Sequence, residues 1–229
     1  MVALKHVVGV SWPRSGHHLL VRLLSRYLRK DFIYCMNRTV QEAVGRRKQS
    51  CCEGTLCDNR ANVHFCKNHD TRGTVPQVSG QLYLVQYRDF LPAVVSSFEC
   101  HLKVSNSSDT FDAFKVMSRN RVDRYRAFLD KWVHSNNSGI ERLVVRYEDL
   151  TSRPEETMIG VLGLFGVDEK DVNLRRLRRI IEVAPKKTLD NNKEVNVKDH
   201  GVANTRRVED FRHYRADWFA ELERMIKAG

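Results

Sequence analysis

Three features of this sequence predict an α/β fold, a three-layer sandwich with a central parallel sheet. Short apolar runs recur: Val7-Val8-Gly9-Val10, Leu82-Tyr83-Leu84-Val85-Gln86-Tyr87 and Leu143-Val144-Val145. Consecutive apolar positions mark strands covered on both faces. Amphipathic helical patterns separate the runs, and strands alternating with helices form a parallel sheet between two helical layers. Polar residues also follow the runs closely. Arg14 follows the first, Arg88 the second and Tyr147 the third, with His69 after a shorter run at Val63-His64-Phe65-Cys66. In a parallel sheet such residues collect at the carboxyl edge, where ligands bind.

The first strand leads into Pro13-Arg14-Ser15-Gly16-His17-His18. A helix follows, because Leu19, Leu20, Leu23, Leu24, Tyr27 and Leu28 fall at helical spacing. A strand, a tight turn and a helix N-terminus make an anion site: the free N–H groups of the first turn and the helix dipole both favour negative charge. Gly16 allows close backbone approach. Arg14 adds a permanent planar charge suited to phosphate or sulfate. Ser15, His17 and His18 can donate further hydrogen bonds. The stretch is not the nucleotide-hydrolase loop, which needs Gly-Lys followed by Ser or Thr. The plain alternative is a turn with an incidental arginine.

From Asp31 to Ala61 the pattern breaks into a polar excursion, with one short helix expected over Val40 to Lys48. Long loops of this kind are often functional. The Val63–Cys66 strand then ends at Lys67-Asn68-His69-Asp70. After Leu82–Tyr87 and Arg88-Asp89, a helix carries Ala93, Val94, Val95 and Phe98, with Pro92 in its first turn. A long helix is expected from Thr110 to His134, its aromatic residues at core spacing. Leu143–Val145 is the next strand and delivers Arg146-Tyr147-Glu148-Asp149-Leu150. Ser152 and Glu155 have capping-box spacing, with Pro154 in the first turn of a helix through Met158, Leu162 and Phe165 to Gly166. Arg175 to Glu182 is a short basic helix, and Arg212 to Lys227 a final amphipathic one. The polar stretch Pro185 to Arg207 is expected to be a flap. Residues 1–229 read as one domain.

The chain of 229 residues is long enough for a large α/β core, and its formal net charge of +11 points to an anionic ligand. A nucleotide, a nucleic acid or an acidic glycan would fit that charge. The aromatic residues follow core periodicity rather than interleaving with basic ones, which argues against nucleic acid. No apolar run has transmembrane length and the first strand begins almost at once, so a cytoplasmic protein with no stable membrane insertion is expected. Nothing in the sequence sets the oligomeric state. Cys51, Cys52, Cys57 and Cys66 lie near His64 and His69, but no C-x-x-C pair exists and no metal is expected. Free thiols are the simplest reading of the cysteines, with a disulfide in that loop left open. Sequons at Asn37, Asn106 and Asn136 matter only in a secreted chain.

Taken together, the blocks resemble the sulfotransferase family that uses PAPS (3′-phosphoadenosine 5′-phosphosulfate), whose fold is P-loop nucleotide-hydrolase-like. Pro13–His18 is similar to that family's phosphosulfate loop. Lys67-Asn68-His69 resembles its Lys-Thr-His block, and Arg88 with Ser96, eight residues apart, resembles its 3′-phosphate binder. Arg146–Leu150 resembles its Tyr-Glu-Asp-Leu block, whose tyrosine lies near the adenine. The blocks keep the family's order. Departures also occur. His17 and His18 replace hydroxyl residues, Leu19 stands where an adenine-stacking tryptophan is usual, and Arg206-Arg207 is at most a degenerate Arg-Lys-Gly block.

The resemblance implies transfer of a sulfuryl group from PAPS to a hydroxyl or amine acceptor, a glycan or a hydroxylated small molecule, with PAP as product. His69 is then the general base, with Asp70 as the alternative. Arg14 and Lys67 stabilise the transferring group. Arg14, Ser15, Gly16, His17 and His18 hold the 5′ end of the cofactor. Arg88, Ser96, Tyr147, Arg206 and Arg207 hold the rest. A P-loop kinase or nucleotide hydrolase, and a non-catalytic binder of anions, remain the competing classes.

Overall fold

The computed structural model describes residues 3–36, 39–42, 48–50, 56–57, 59–105, 107–183 and 207–228. Its strands are β1 (Val7–Ser11), β2 (Ile33–Met36), β3 (Thr39–Glu42), β4 (Lys48–Ser50), β5 (Phe65–His69), β6 (Leu82–Tyr87) and β7 (Arg142–Arg146). They form one seven-stranded sheet in the order β4-β3-β2-β5-β1-β6-β7. From β2 to β7 every pairing is parallel, whereas β3 and β4 add an antiparallel edge beside β2. The expected three-layer α/β architecture is therefore observed: a mixed α/β fold whose central parallel sheet is flanked by helices.

Alternation along the strands assigns the two faces. Val8, Val10, Tyr83 and Val85 pack beneath α2 (Phe90–Val104), α3 (Phe111–Leu129) and a later helix at Ala216–Lys227. Val7, Leu84 and Val145 face the other way, onto α1 (His17–Leu28) and a layer completed by α4 (Tyr147–Ser152), α5 (Pro154–Leu164) and α6 (Leu174–Val183). The Ala216–Lys227 helix is α7. A π-helical turn at Asp130–His134 continues α3, so the long helix expected over this stretch is present with a changed last turn.

Three expectations are corrected. The short helix over Val40 to Lys48 is not formed: Thr39–Glu42 and Lys48–Ser50 are strands, and the residues between them lie outside the described ones. β2 was hidden inside the same excursion, because its four residues are flanked by Arg, Lys and Asn and are buried by pairing with β5 and β3. The Ser152–Glu155 capping box is absent. Ser152 ends α4 and its hydroxyl donates to the Glu148 carbonyl (2.7 Å), while Pro154 does open α5. β5 begins at Phe65 and runs on to His69, so Lys67, Asn68 and His69 lie inside the strand rather than after it.

Candidate active site

The loop after β1 contains two residues in left-handed conformation, Arg14 (φ 69°) and Gly16 (φ 79°). Such successive turns aim backbone N–H groups into a concavity suited to anions. Gly16 is required twice over: its φ disfavours any side chain, and an added Cβ would lie 2.5 Å from the Tyr147 ring. The first turn of α1 carries no acidic residue. Ser15 is almost fully buried and its hydroxyl has no hydrogen-bond partner among the described residues. Arg14 does not lie along the loop. Its Nε donates to Ser96 Oγ on α2 (3.0 Å), and Nη1 approaches Cys100 Sγ (3.7 Å).

On the α1 side of the sheet, Ser11, His69 and Gln86 form one row across β1, β5 and β6. His69 Nδ1 lies 3.0 Å from Ser11 Oγ and 3.2 Å from the Ser11 carbonyl. A carbonyl only accepts, so Nδ1 carries the proton and Nε2 keeps its lone pair. Surrounding protein first, then the Lys67 and Arg14 cations, push the His69 pKa down to about 4. One side of the residue remains open to solvent. Burial and then Arg14 also hold the Lys67 ammonium below its ordinary pKa.

His17 is placed differently from its neighbours in the loop. It is buried, stacks on Phe65 with ring centroids 5.4 Å apart, and its Nε2 is 2.8 Å from the Tyr34 hydroxyl. Nε2 is thus engaged by Tyr34, while Nδ1 is buried beside the Gln86 amide. Burial, followed by Lys67, holds its pKa well below the ordinary value. His18 is half-buried, its ring 6.1 Å from that of His17. Leu19 is core, 3 % exposed, and offers no stacking face.

Asp70 points to the opposite face, as strand alternation requires of the residue after His69. Its carboxylate accepts from Val75 N–H (3.0 Å), Trp132 Nε1 (2.8 Å) and Lys131 Nζ (2.9 Å). It is a buried anchor for the 70–75 turn, and its oxygens do not face the loop that His69 faces.

Arg88 and Tyr147 meet across β6 and β7: the guanidinium carbon lies 4.3 Å from the Tyr147 ring centroid, and Arg88 Nε is 3.8 Å from Glu148. Tyr147 is buried, with its ring edge against Gly16. Arg146 takes Asp89 in a two-pronged ion pair, which ties the end of β7 to the start of α2. Arg207 lines the same small cleft as Arg88 and Ser96. Arg206 and the rest of the 185–206 stretch expected as a flap lie outside the described residues, as do Cys51 and Cys52.

The structure therefore brings Arg14, Ser15, Gly16, His17, His18, Lys67, His69, Arg88, Ser96, Tyr147 and Arg207 to the carboxyl edge of β5-β1-β6-β7. Sequence reasoning missed Ser11, Tyr34, Gln86 and Arg146. Only Arg146 had a local signal, its place at the head of the Tyr-Glu-Asp-Leu block. Among the described residues no group of three or more His, Cys, Asp or Glu is gathered as metal ligands would be, and no helix is long and apolar enough to cross a membrane.

The histidines set an acid limit. His69, His17, His6 and His64 all have lowered pKa values, in each case chiefly through burial. Below their ordinary value of 6.5 the unfolded chain holds more protons than the folded one. Their stabilisation is complete above that pH and lost as pH falls below it, for His69 on the way down to about 4. Urea midpoints should drop steadily across that window; a midpoint constant through it would contradict the assignment.

No protein-family model matches the sequence, and no curated protein sequence does. Among solved structures the fold is similar to that of mouse sulfotransferase SULT7A1 complexed with PAP. The TM-score is 0.56 at 15% sequence identity, over 98% of this chain and 82% of that one. The likeness is one of fold. It shows a sulfotransferase-like architecture, with the central parallel sheet and the edge at which such sheets take ligands.

Proposed function

We propose that this chain transfers a sulfuryl group from PAPS to a hydroxyl or amine acceptor, releasing PAP. The observation that carries the reading is the meeting, at one sheet edge, of an anion-binding loop, a second cationic cleft and a neutral imidazole with its Nε2 lone pair available. The donor set fits the cofactor. Ser15 Oγ is a buried hydroxyl with no hydrogen-bond partner among the described residues, the loop is cradled around Gly16, and Arg88, Ser96 and Arg207 line one cleft. A sulfotransferase of similar fold was solved with PAP bound.

The cofactor supplies an activated sulfuryl group. The chain's own residues do the rest. The loop N–H groups, Ser15 and His18 hold the 5′ end, and Arg88, Ser96 and Arg207 hold the 3′-phosphate. As the acceptor oxygen bonds to sulfur, its proton passes to His69 Nε2, and Ser11 keeps the ring in the required tautomer. Lys67 would meet the charge left on the phosphate oxygen once the sulfuryl group has moved to the acceptor. Positioning and electrostatics carry such transfers, and no metal is needed among these roles.

PAP at about 100 times its dissociation constant should stabilise the fold by about 2.7 kcal/mol. For a chain of this size that raises the melting temperature by roughly 5–10 °C, and ATP with magnesium should not match it. Labelled PAPS offered to a panel of glycans and hydroxylated small molecules should then label an acceptor. A shift with magnesium ATP alone would move the chain to the kinase or hydrolase class. Binding of PAP with no acceptor ever labelled would leave a non-catalytic anion binder.

A further inference from the structure

α1 starts at the candidate site and ends at the opposite edge of the sheet, about 18 Å away by helical rise. Along one flank Arg22 and Arg26 follow at i, i+4 spacing, and Arg29 stands on the 3-10 turn beyond. Like charges at that spacing cost a helix stability. Burial, followed by Arg26, lowers the pKa of the Arg22 guanidinium. α6 lies against the same flank. Arg176 Nη2 donates to the Arg26 carbonyl (3.2 Å), and its guanidinium carbon is 5.1 Å from the Tyr27 ring centroid. Burial, followed by Arg29, lowers the pKa of Arg176, whose Nε is buried with no hydrogen-bond partner among the described residues. Arg175 and Arg179, one turn apart, are exposed on the same helix. Arg26, Arg29, Arg175, Arg176 and Arg179 form no ion pair among the described residues, although Asp31 and Glu182 lie on the same elements. Arg178, on the other flank of α6, instead holds the Glu155 carboxylate with two bonds, 2.6 and 2.9 Å.

We infer that this α1–α6 flank is a docking track for an acidic glycan chain, whose sulfate or carboxylate groups the guanidiniums take in succession. Mutual repulsion among the arginines is a cost that bound anions relieve. Planar forks match sulfate and carboxylate oxygens, which a row of lysines would not. The cations are also graded in depth: Arg22 is 7 % exposed, Arg176 is half-buried and Arg179 is exposed. A bilayer surface meets only the charges that protrude, whereas a flexible chain reaches those set between two helices. A nucleic acid would need stacking faces, and Tyr27, the aromatic residue of this flank, is buried beside Arg176. A chain seated along α1 points one end at the His17 end of the helix. The track thereby names an acidic glycan as the acceptor class, the one point at which the inference rests on the PAPS reading.

The test measures binding of a fluorescent heparin octasaccharide by anisotropy across a salt series. Arg26→Gln combined with Arg179→Gln should weaken it about fivefold to 30-fold, the worth of two exposed ion pairs. The slope of log affinity against log salt should fall by about two, one for each lost contact. Arg119→Gln combined with Arg124→Gln removes the same charge from α3 in the other helical layer and should change little. Affinity for PAP should be unaltered in both. With labelled PAPS, the first pair should raise KM for the glycan by the same factor and leave kcat unchanged. Equal weakening by the two pairs would reduce the binding to net charge and overturn the inference. Tighter binding, through the same arginines, of an oligonucleotide of equal charge or of anionic phospholipid vesicles would overturn it too. If the first pair disturbs folding, Arg175→Gln with Arg179→Gln, both exposed, carries the same comparison. Track-dependent binding of the octasaccharide by a protein that does not bind PAP would overturn the PAPS reading and leave the docking track standing.

Discussion

His69→Ala is expected to slow sulfuryl transfer at least about 100-fold while leaving affinity for PAP almost unchanged, since general bases contribute about 10²–10⁴-fold. The geometry makes this specific. Nδ1 is committed to Ser11, so a single nitrogen can take the acceptor proton. The low pKa, about 4, keeps the ring neutral across the working range and leaves it a weak base in the free protein. Bound phosphates place negative charge beside it and should raise that value, so PAP binding near pH 5 should take up protons. Calorimetry in buffers of different ionisation enthalpy measures the uptake directly. Near-normal turnover by His69→Ala would remove the histidine from the mechanism.

Asp70→Ala is expected to act on the neighbouring position in the opposite way, lowering stability by about 3 kcal/mol, the lower end for breaking a buried ion pair because the Lys131 side chain is 25 % exposed. Removal leaves Trp132 Nε1 and Val75 N–H without an acceptor, while Lys131 keeps only the Gly73 and Val75 carbonyls. A loss of this size lowers the melting temperature by roughly 6–12 °C. Turnover of the folded fraction should stay near wild type. A stable Asp70→Ala protein that has lost turnover would reverse the assignments of the two residues.

The pair also shows what the sequence could and could not yield. The strand before Lys67 was legible as an apolar run, but its end was placed at Cys66. With the strand carried through His69, period-two alternation separates Lys67 and His69 from Asn68 and Asp70, so His69 and Asp70 fall on opposite faces without any distance being needed. Arg14, Arg88 and Tyr147 were legible because each follows an apolar run closely. The contact between His17 and Tyr34 was not, since it depends on β2, a four-residue strand concealed by polar flanks. Nor was the reach of Arg14 to Ser96, which joins residues 82 apart. Side-chain direction across such separations has no local signature. The antiparallel edge was missed because its residues have no alternating apolar pattern: Thr39-Val40-Gln41-Glu42 and Lys48-Gln49-Ser50 are mostly polar.

The central place of β1 has a kinetic consequence. Its partners, β5 and β6, begin 58 and 75 residues away in register, Val7 pairing with Phe65 and with Leu82. Contacts of such long sequence separation close slowly, because loop entropy is lost before they reward it. The Pro13–His18 turn is shaped by these late contacts: Tyr147 bears on Gly16, Ser96 takes Arg14 and Phe65 carries His17. The six-residue motif is accordingly not a transplantable module. A peptide of residues 1–36 would contain every letter of it and none of its shape, and in refolding the recovery of nucleotide binding should lag behind helix formation, arriving with the last parallel strands to dock.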